Sequence, residues 1–531
     1  MTHPTLLHDY FDLSVKKFPD KAALIFEGNR HTYSDLYHQV HILANKLTDF
    51  GLKKQDRVLI YMDNAPEVVI SFYAALKAGG IFTIINPSVQ LQKLTYIIGD
   101  CQPAVIIADA KKEGIILQAL QNNQHACTLI WTGSDRQTSA VDPVLPAHRW
   151  KDITAPTWDN MANLGLQKFS HRRVLDIDLA GLIYTSGSTG EPKGVMESHY
   201  NIISAARSII QYLENTPNDI ILNTLPLSFD YGLYQVIMAL MFGGTVVLEK
   251  SFIFLSHTLN LIAQERVTGF PIVPTIVAMI FKTIGLKSFD LSPLRYLTNT
   301  GAAFPVEHIR KLRGLIPHVQ IYSMFGLTEC KRIAYLPPGE IDNKPDSVGK
   351  AMPNCEVFIV DENEKPVING ESGELVVRGS NVMKGYWNAP EQTAKTFRKG
   401  LGFQEKLLFT GDYFKMDAQG YLYFLGRKDD MIKSRGERIS AKEIEDIINQ
   451  IEEVNECAAI GVEDDILGQA IKVFVAPNAR AVLNKKAIME HCANNLEPYS
   501  VPKYIEIYDE LPKTAHGKID KKALKNITHL F

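Results

Sequence analysis

Short apolar runs alternate with longer amphipathic stretches from Ala22 to about Phe397, and this alternation restricts the fold more than any other feature. The runs Ala23-Leu24-Ile25-Phe26, Arg57-Val58-Leu59-Ile60-Tyr61, Ile81-Phe82-Thr83-Ile84-Ile85 and Ala104-Val105-Ile106-Ile107-Ala108 have the length and uniformity of strands buried on both faces. Between them lie helical patterns over 34–50, from Pro66 onward and over 91–98, with Pro66 at a first-turn position where its missing N–H costs nothing. Strands of this kind need cover on both sides, so the reading is α/β, with parallel sheets enclosed by helices. A polar, proline-containing stretch over 132–160 interrupts the pattern and reads as a surface loop.

A chain of 531 residues exceeds a single hydrophobic core, so several subdomains are expected. From Gly373 the pattern changes to short strands, Glu374-Leu375-Val376-Val377-Arg378 and Gly420-Tyr421-Leu422-Tyr423-Phe424-Leu425, which suggests a β-rich subdomain. Beyond Gly426-Arg427-Lys428-Asp429-Asp430 it changes again. Ser440 with Glu443 makes a capping-box pattern opening a helix, followed by strands over 457–462 and 470–475, a helix over 485–495 and a last strand, Tyr504-Ile505-Glu506-Ile507. The expected organisation is therefore a large N-terminal domain over 1–428 and a small α+β C-terminal domain over 429–531.

The formal charge of −3 is spread along the chain, without the basic stripe that nucleic-acid binding needs. The cysteines Cys101, Cys127, Cys330, Cys355, Cys457 and Cys492 are far apart and form no C-x-x-C pair, which reads as reduced thiols of a cytoplasmic protein. The N-terminus meets an aspartate too soon for a secretory leader, and the apolar run 236–248 is too short to span a bilayer. No nucleic-acid partner and no membrane span are expected.

One stretch carries chemistry on its face: Leu182-Ile183-Tyr184-Thr185-Ser186-Gly187-Ser188-Thr189-Gly190-Glu191-Pro192-Lys193-Gly194-Val195. Its glycines permit close backbone approach, so that N–H groups can converge on an anion, and the hydroxyls of Thr185, Ser186, Ser188 and Thr189 add donors. It is not the Walker loop, in which Gly-Lys-Ser/Thr opens a helix, because Pro192 precedes Lys193 and Gly194 follows it. A flexible linker is the competing reading. The abutting apolar strand and the stiff Glu-Pro-Lys-Gly turn favour a phosphate loop.

Four further stretches stand in register with it: Phe325-Gly326-Leu327-Thr328-Glu329, Phe409-Thr410-Gly411-Asp412, Gly426-Arg427-Lys428-Asp429, and Pro512-Lys513-Thr514-Ala515-His516-Gly517-Lys518-Ile519-Asp520. In this order and spacing the chain resembles the adenylate-forming (AMP-binding) superfamily, which includes acyl-CoA synthetases, adenylation domains of nonribosomal peptide synthesis and firefly-luciferase-like enzymes. The resemblance implies a large N-terminal region of sheets, a small mobile C-terminal domain, and ATP and Mg2+ as cofactors. It implies that a carboxylate attacks the α-phosphorus, pyrophosphate leaves, and a thiol then takes the acyl group. Thr185, Ser186, Gly187, Ser188, Thr189, Gly190 and Lys193 would hold the departing phosphates. Glu329 would bind magnesium, a hard oxygen for a hard cation. Gly301, Ala302 and Ala303 would let the purine approach the backbone and Phe325 would stack on it, with Gly326 and Thr328 alongside. Asp412 would accept the ribose hydroxyls and Arg427 would contact ribose or phosphate. Lys518 would reach into the first half-reaction, and Asp429 would be the hinge that brings Gly436 towards the thiol. Alone, Glu329 would pass for a solvated carboxylate, Asp412 for a turn residue and Lys518 for a solvent lysine beside Lys513, Lys521 and Lys522; the register of the motifs reverses this.

The resemblance gives a reaction and leaves the acid open. Phe229-Asp230 looks like the motif of amino-acid-activating relatives, whose aspartate binds the α-amino group, and an aspartate facing an apolar tunnel would cost several kcal/mol unless paired. By the same resemblance Tyr231, Tyr234, Thr298, Thr300, Met324 and Ile333 would line the acid pocket, although tyrosines also serve as core with satisfied hydroxyls. The leading expectation is a stand-alone ligase that adenylates a small amino acid, possibly proline, and loads it on the phosphopantetheine of a separate carrier protein. An acyl-CoA or acyl-carrier-protein ligase for a fatty or aryl acid is the alternative, and a non-catalytic nucleotide-binding relative a third.

Overall fold

The computed structural model describes residues 4–133, 146–154, 174–186, 191–283, 285–301, 304–400, 402, 405–428, 431–434, 437–464, 467–478, 481–498, 500–513 and 519–528. The chain forms two compact units, one of Met1–Pro345, Ala351–Glu356 and Val377–Leu408, the other of Asp346–Lys350, Val357–Val376 and Phe409–Phe531. Asp429, the expected hinge and domain boundary, lies outside the described residues.

The first unit holds two large sheets. One has seven strands in the order Ala147–Arg149, Thr128–Thr132, Val105–Asp109, Arg57–Tyr61, Ile81–Ile85, Leu179–Ser186 and Pro192–Ser198. Its pairings are parallel except the last, which is an antiparallel hairpin. The other, nine-stranded, sheet carries Gln320–Phe325, Tyr296–Asn299, Gly269–Ile272, Ile220–Asn223, Thr245–Leu248 and Ala22–Phe26 side by side and parallel. The helix Pro66–Lys77 is buried along its whole length, as is Asp230–Leu240 within the helix Asp230–Phe242. Helices apolar all round belong inside a protein, and these two are core. The helix Tyr33–Asp49 starts where Thr32 accepts from the Asp35 N–H and Asp35 reaches back to Thr32, a reciprocal cap.

Two sequence expectations are corrected here. Within 132–160, read as loop, Ala147–Arg149 pairs parallel with Leu129, Ile130 and Trp131 of the strand Thr128–Thr132 and leads into the short helix Trp150–Thr154. The strand is held by long-range contact, His148 stacking on Phe50 with ring centres 4.2 Å apart, which local composition does not show. The Glu-Pro-Lys-Gly segment, read as a turn, instead starts the strand Pro192–Ser198, with Thr185 opposite Lys193 and Ser186 opposite Pro192.

In the second unit the 409–416 part of the strand Lys406–Met416 pairs with Leu422–Arg427, placing Asp412 opposite Arg427. The C-terminal part is a sheet of Ile432–Ser434, Glu437–Ile439, Gly468–Pro477, Val454–Asp464 and Tyr504–Ile507. Alternation along Gly468–Pro477 sends Val473 and Val475 to a core with Ile444 and Ile488, and Phe474 and Ala476 to another with Leu511 and Leu524. Ser440 caps the helix Ala441–Ile448 by accepting from the Glu443 N–H, as its spacing predicts. The six cysteines are free thiols, and no helix among the described residues is long and apolar enough to cross a membrane.

Candidate active site

The hairpin of Leu179–Ser186 and Pro192–Ser198 presents Lys193 next to a segment that sequence reasoning did not single out, 383–387. That segment lies along the hairpin's outer strand: the Met196 N–H donates to the Gly385 carbonyl at 2.9 Å, Lys384 N–H to the Met196 carbonyl at 3.0 Å and Trp387 N–H to the Gly194 carbonyl at 2.8 Å. Gly194 packs closely on Tyr184, for a Cβ there would stand 3.1 Å from its ring. At its other end the Met383 N–H donates to the Glu329 carbonyl at 2.9 Å. Tyr386, between these anchors, donates its hydroxyl to Glu329 Oε1 at 2.7 Å, and Lys193 Nζ lies 5.5 Å from its ring centre. Lysine and carboxylate thus meet on one tyrosine. Glu329 is half-buried and its second oxygen has no partner among the described residues, which suits a single carboxylate that shares a hard cation with phosphates.

Glu329 follows the strand Gln320–Phe325, with Phe325 half-buried at the strand's end and Thr328 half-buried in the turn beyond it. Gly326 allows the chain to double back here, for a Cβ would lie 2.4 Å from the Lys331 carbonyl oxygen. Gly301, at φ +84° after the strand Tyr296–Asn299, faces Phe229.

Of the residues expected around the acid, Asp230, Tyr231, Tyr234, Thr298, Thr300, Met324 and Ile333 are buried, whereas Phe229 is exposed. The Tyr231 hydroxyl donates to the Thr298 carbonyl at 2.8 Å and lies 2.6 Å from Thr298 Oγ1. Met324 Sδ accepts from Tyr212 at 3.0 Å, the Ile333 N–H donates to the Phe325 carbonyl at 2.9 Å, and Thr300 is buried. Asp230, at the start of its helix and 6% exposed, meets Lys331, which is 3% exposed, through Oδ2 and Nζ at 3.2 Å. Lys331 also stands 4.3 Å from the Tyr234 ring centre. The Tyr234 hydroxyl points to Glu197 Oε1 at 3.5 Å, and Glu197 Oε2 has no partner among the described residues. Burial, and then the charge of Asp230, push the Glu197 carboxyl up to about 8. Burial outweighs Asp230 at Lys331 and pushes its ammonium down to about 8. Lys331 and Glu197 were missed by sequence reasoning. The Lys-Arg pair after Thr328-Glu329-Cys330 was the available signal for the first, and Glu197 offers none.

In the second unit Asp412 is buried and pairs with Arg427, Nε to Oδ1 at 3.1 Å, beside Gly411 at φ +70°. Glu374 accepts from the Gly411 N–H at 3.0 Å and pairs with Lys428 at 2.7 Å. Of the remaining expected site residues, Gly187, Ser188, Thr189, Gly190, Ala302, Ala303, Asp429 and Lys518, with the side chain of Ser186, lie outside the described residues.

Residues 11–387 match the family described as AMP-binding enzyme, and 443–518 match the AMP-binding enzyme C-terminal domain. The chain is 31% identical over 529 residues to a long-chain-fatty-acid–CoA ligase of Bacillus subtilis (strain 168), covering 96% of this chain and 92% of that one. It is 30% identical to bacitracin synthase 1 of Bacillus licheniformis, over 98% of this chain and 9% of that much longer protein. Among solved structures, ATP-bound MatB from Rhodopseudomonas palustris superposes with a TM-score of 0.85 at 26% identity, over 98% of both chains. Fold and site together define an adenylate-forming ligase, an AMP-forming enzyme that joins an acid to a thiol. The chain belongs to the AMP-binding enzyme family.

Proposed function

We propose that this ligase activates a carboxylic acid without an α-ammonium group and transfers the acyl group to the thiol of coenzyme A. The observation that carries the reading is the buried pair of Asp230 and Lys331 at 3.2 Å. The aspartate that would receive a substrate ammonium already has a protein ammonium. An incoming amino acid would have to displace Lys331 and leave a buried charge alone, which costs about 3–5 kcal/mol.

In this reading the hairpin loop from Thr185 to Lys193 receives the phosphates, and Phe325 with Gly301 takes the adenine. Asp412 accepts the ribose hydroxyls with Arg427 beside it. The substrate carboxylate oxygen attacks the α-phosphorus and pyrophosphate departs; the thiol sulfur then attacks the acyl carbon, losing its proton, and AMP departs. Glu329 would hold magnesium, which would supply positive charge to the phosphates. Lys518 serves the first half-reaction, and rotation at Asp429, between domains 1–428 and 429–531, exchanges it for the thiol-facing surface. Six free thiols support a cytoplasmic setting.

The expectation of an amino acid, possibly proline, loaded on a separate carrier protein is the second reading. It is favoured by the Phe229-Asp230 pattern and by the likeness to bacitracin synthase 1. ATP–pyrophosphate exchange over a panel of amino acids and their deaminated analogues, followed by thioester formation with CoA, separates the two. Exchange driven best by the deaminated acids is expected; exchange driven best by an amino acid overturns the proposal.

A further inference from the structure

Arg332 follows Lys331 into the same buried cluster and is 2% exposed. Its guanidinium carbon lies 5.4 Å from the Tyr231 ring centre, and its charge acts on Tyr212, whose hydroxyl donates to Met324 Sδ at 3.0 Å. Among the described residues Arg332 Nε has no hydrogen-bond partner and no carboxylate forms an ion pair with the guanidinium. The nearby acids do not fill this role. Asp230 is engaged by Lys331, and burial drives Glu197 towards its protonated form.

A guanidinium cannot lose its proton to escape burial as a lysine can, so an uncompensated one remains a cost to the folded state. Its backbone is also fixed: Asn381 Nδ2 donates to the Arg332 carbonyl at 2.9 Å, and the Arg332 Cα packs 2.8 Å from where a Cβ on Gly326 would stand. The group is therefore pre-set, charged and lacking an anion, among the residues expected to line the acid pocket. A planar fork of donors of this kind matches a carboxylate.

We infer that Arg332 binds a second acidic group of the substrate, so that the acid activated here is a diacid whose far carboxylate replaces the missing counter-ion. The inference rests on the ligase reading above and narrows its substrate class. Tyr231, whose ring lies at the guanidinium, then supplies an aromatic wall beside that far carboxylate.

The test is ATP–pyrophosphate exchange by the full chain with matched pairs: glutarate and pentanoate, adipate and hexanoate, phthalate and benzoate. In at least one pair the diacid is expected to exceed its monoacid by about tenfold or more in kcat/KM, since a site built around a charged substrate group rejects the analogue without it. Arg332→Gln should erase that preference by raising KM for the diacid, with the monoacid little changed. Monoacids that equal or surpass the diacids in every pair of the wild type overturn the inference and leave the ligase reading standing. Equal loss for both members of a pair in a folded Arg332→Gln variant also overturns it, marking the arginine as structural. Exchange with no acid at all overturns the ligase reading, and this inference with it. The wild-type comparison decides the matter even where the variant does not fold.

Discussion

Tyr386 donates its hydroxyl to Glu329 Oε1 at 2.7 Å, and the ring that carries this hydroxyl has the Lys193 ammonium 5.5 Å from its centre. A hydrogen bond to a carboxylate contributes about 1.5–3 kcal/mol and fixes which oxygen is left for other partners. Tyr386 thus positions Glu329, and the hairpin that carries Lys193 is tied to the same segment by backbone bonds through Gly194 and Met196.

Glu329→Gln keeps the shape and removes the charge, so magnesium should be needed at higher concentration and kcat should fall by about two orders of magnitude or more, as for loss of a metal-ligating charge. Tyr386→Phe should move the magnesium midpoint in the same direction by a smaller factor, with KM for the acid unchanged. A magnesium titration of pyrophosphate exchange reads both. An unchanged midpoint in Glu329→Gln removes the metal role.

Acid should destabilise the first unit through its histidines. His199 Nδ1 accepts from the Leu7 N–H at 3.2 Å, a bond that needs an unprotonated nitrogen. Burial pushes His199 down to about 4 and, with Lys77 as the next cause, His41 to about 3; burial also holds His8 well below the usual range. These folded-state values lie below the unfolded one near 6.5, so their contribution is complete above about pH 6.5 and is lost as pH falls towards the folded values. Each such histidine contributes about 1.4 kcal/mol per pH unit in that window. The melting temperature should therefore drop steeply between about pH 6 and 4.5, and His199→Gln should flatten that drop. A profile unchanged by the substitution counts against the assignment.

The sequence displayed what is local and hid what is not. Runs such as Val58-Leu59-Ile60 and Val105-Ile106-Ile107 are uniformly apolar because both faces are covered, so their strands and the α/β class were legible. The Ser440 cap was legible because its partner is three residues away. Pro192-Lys193-Gly194 looked like a turn because a strand containing proline and glycine is recognisable only from its neighbours, the strand Leu179–Ser186 on one side and Gly385 to Trp387 on the other. The partner of Asp230 is 101 residues away, and nothing near the Phe229-Asp230 motif reveals that its charge is already met. Tyr386 sits in an unremarkable Lys-Gly-Tyr-Trp stretch, and its meeting with Glu329 exists only in three dimensions.

Lys518 belongs to the motif whose register with the other stretches carries the superfamily resemblance, and its assigned task ends when the adenylate has formed. Lys518→Ala should then abolish pyrophosphate exchange while thioester formation from a supplied acyl-adenylate persists. A long ammonium suits a charge that arrives for one step and leaves for the next. Near-normal exchange by the variant would rule the role out.

The Asp230–Lys331 pair makes the sharpest demand on the substrate reading. Removing one partner leaves the other charged and buried, so Lys331→Met and Asp230→Asn should each destabilise the protein by about 3–5 kcal/mol, seen as a lower denaturation midpoint. The double variant removes both charges and should regain most of that loss, because a buried pair replaced by uncharged groups of similar size is often close to neutral. Coupling of this size would establish that Asp230 is satisfied by the protein. Additive losses would mean that the two charges do not depend on one another. The same variants address the acid: with Lys331→Met the aspartate is released, and amino acids should become better substrates than they are for the wild type. If the wild type already prefers an amino acid and Lys331→Met leaves that preference unchanged, Asp230 serves the substrate and the second reading takes the place of the first.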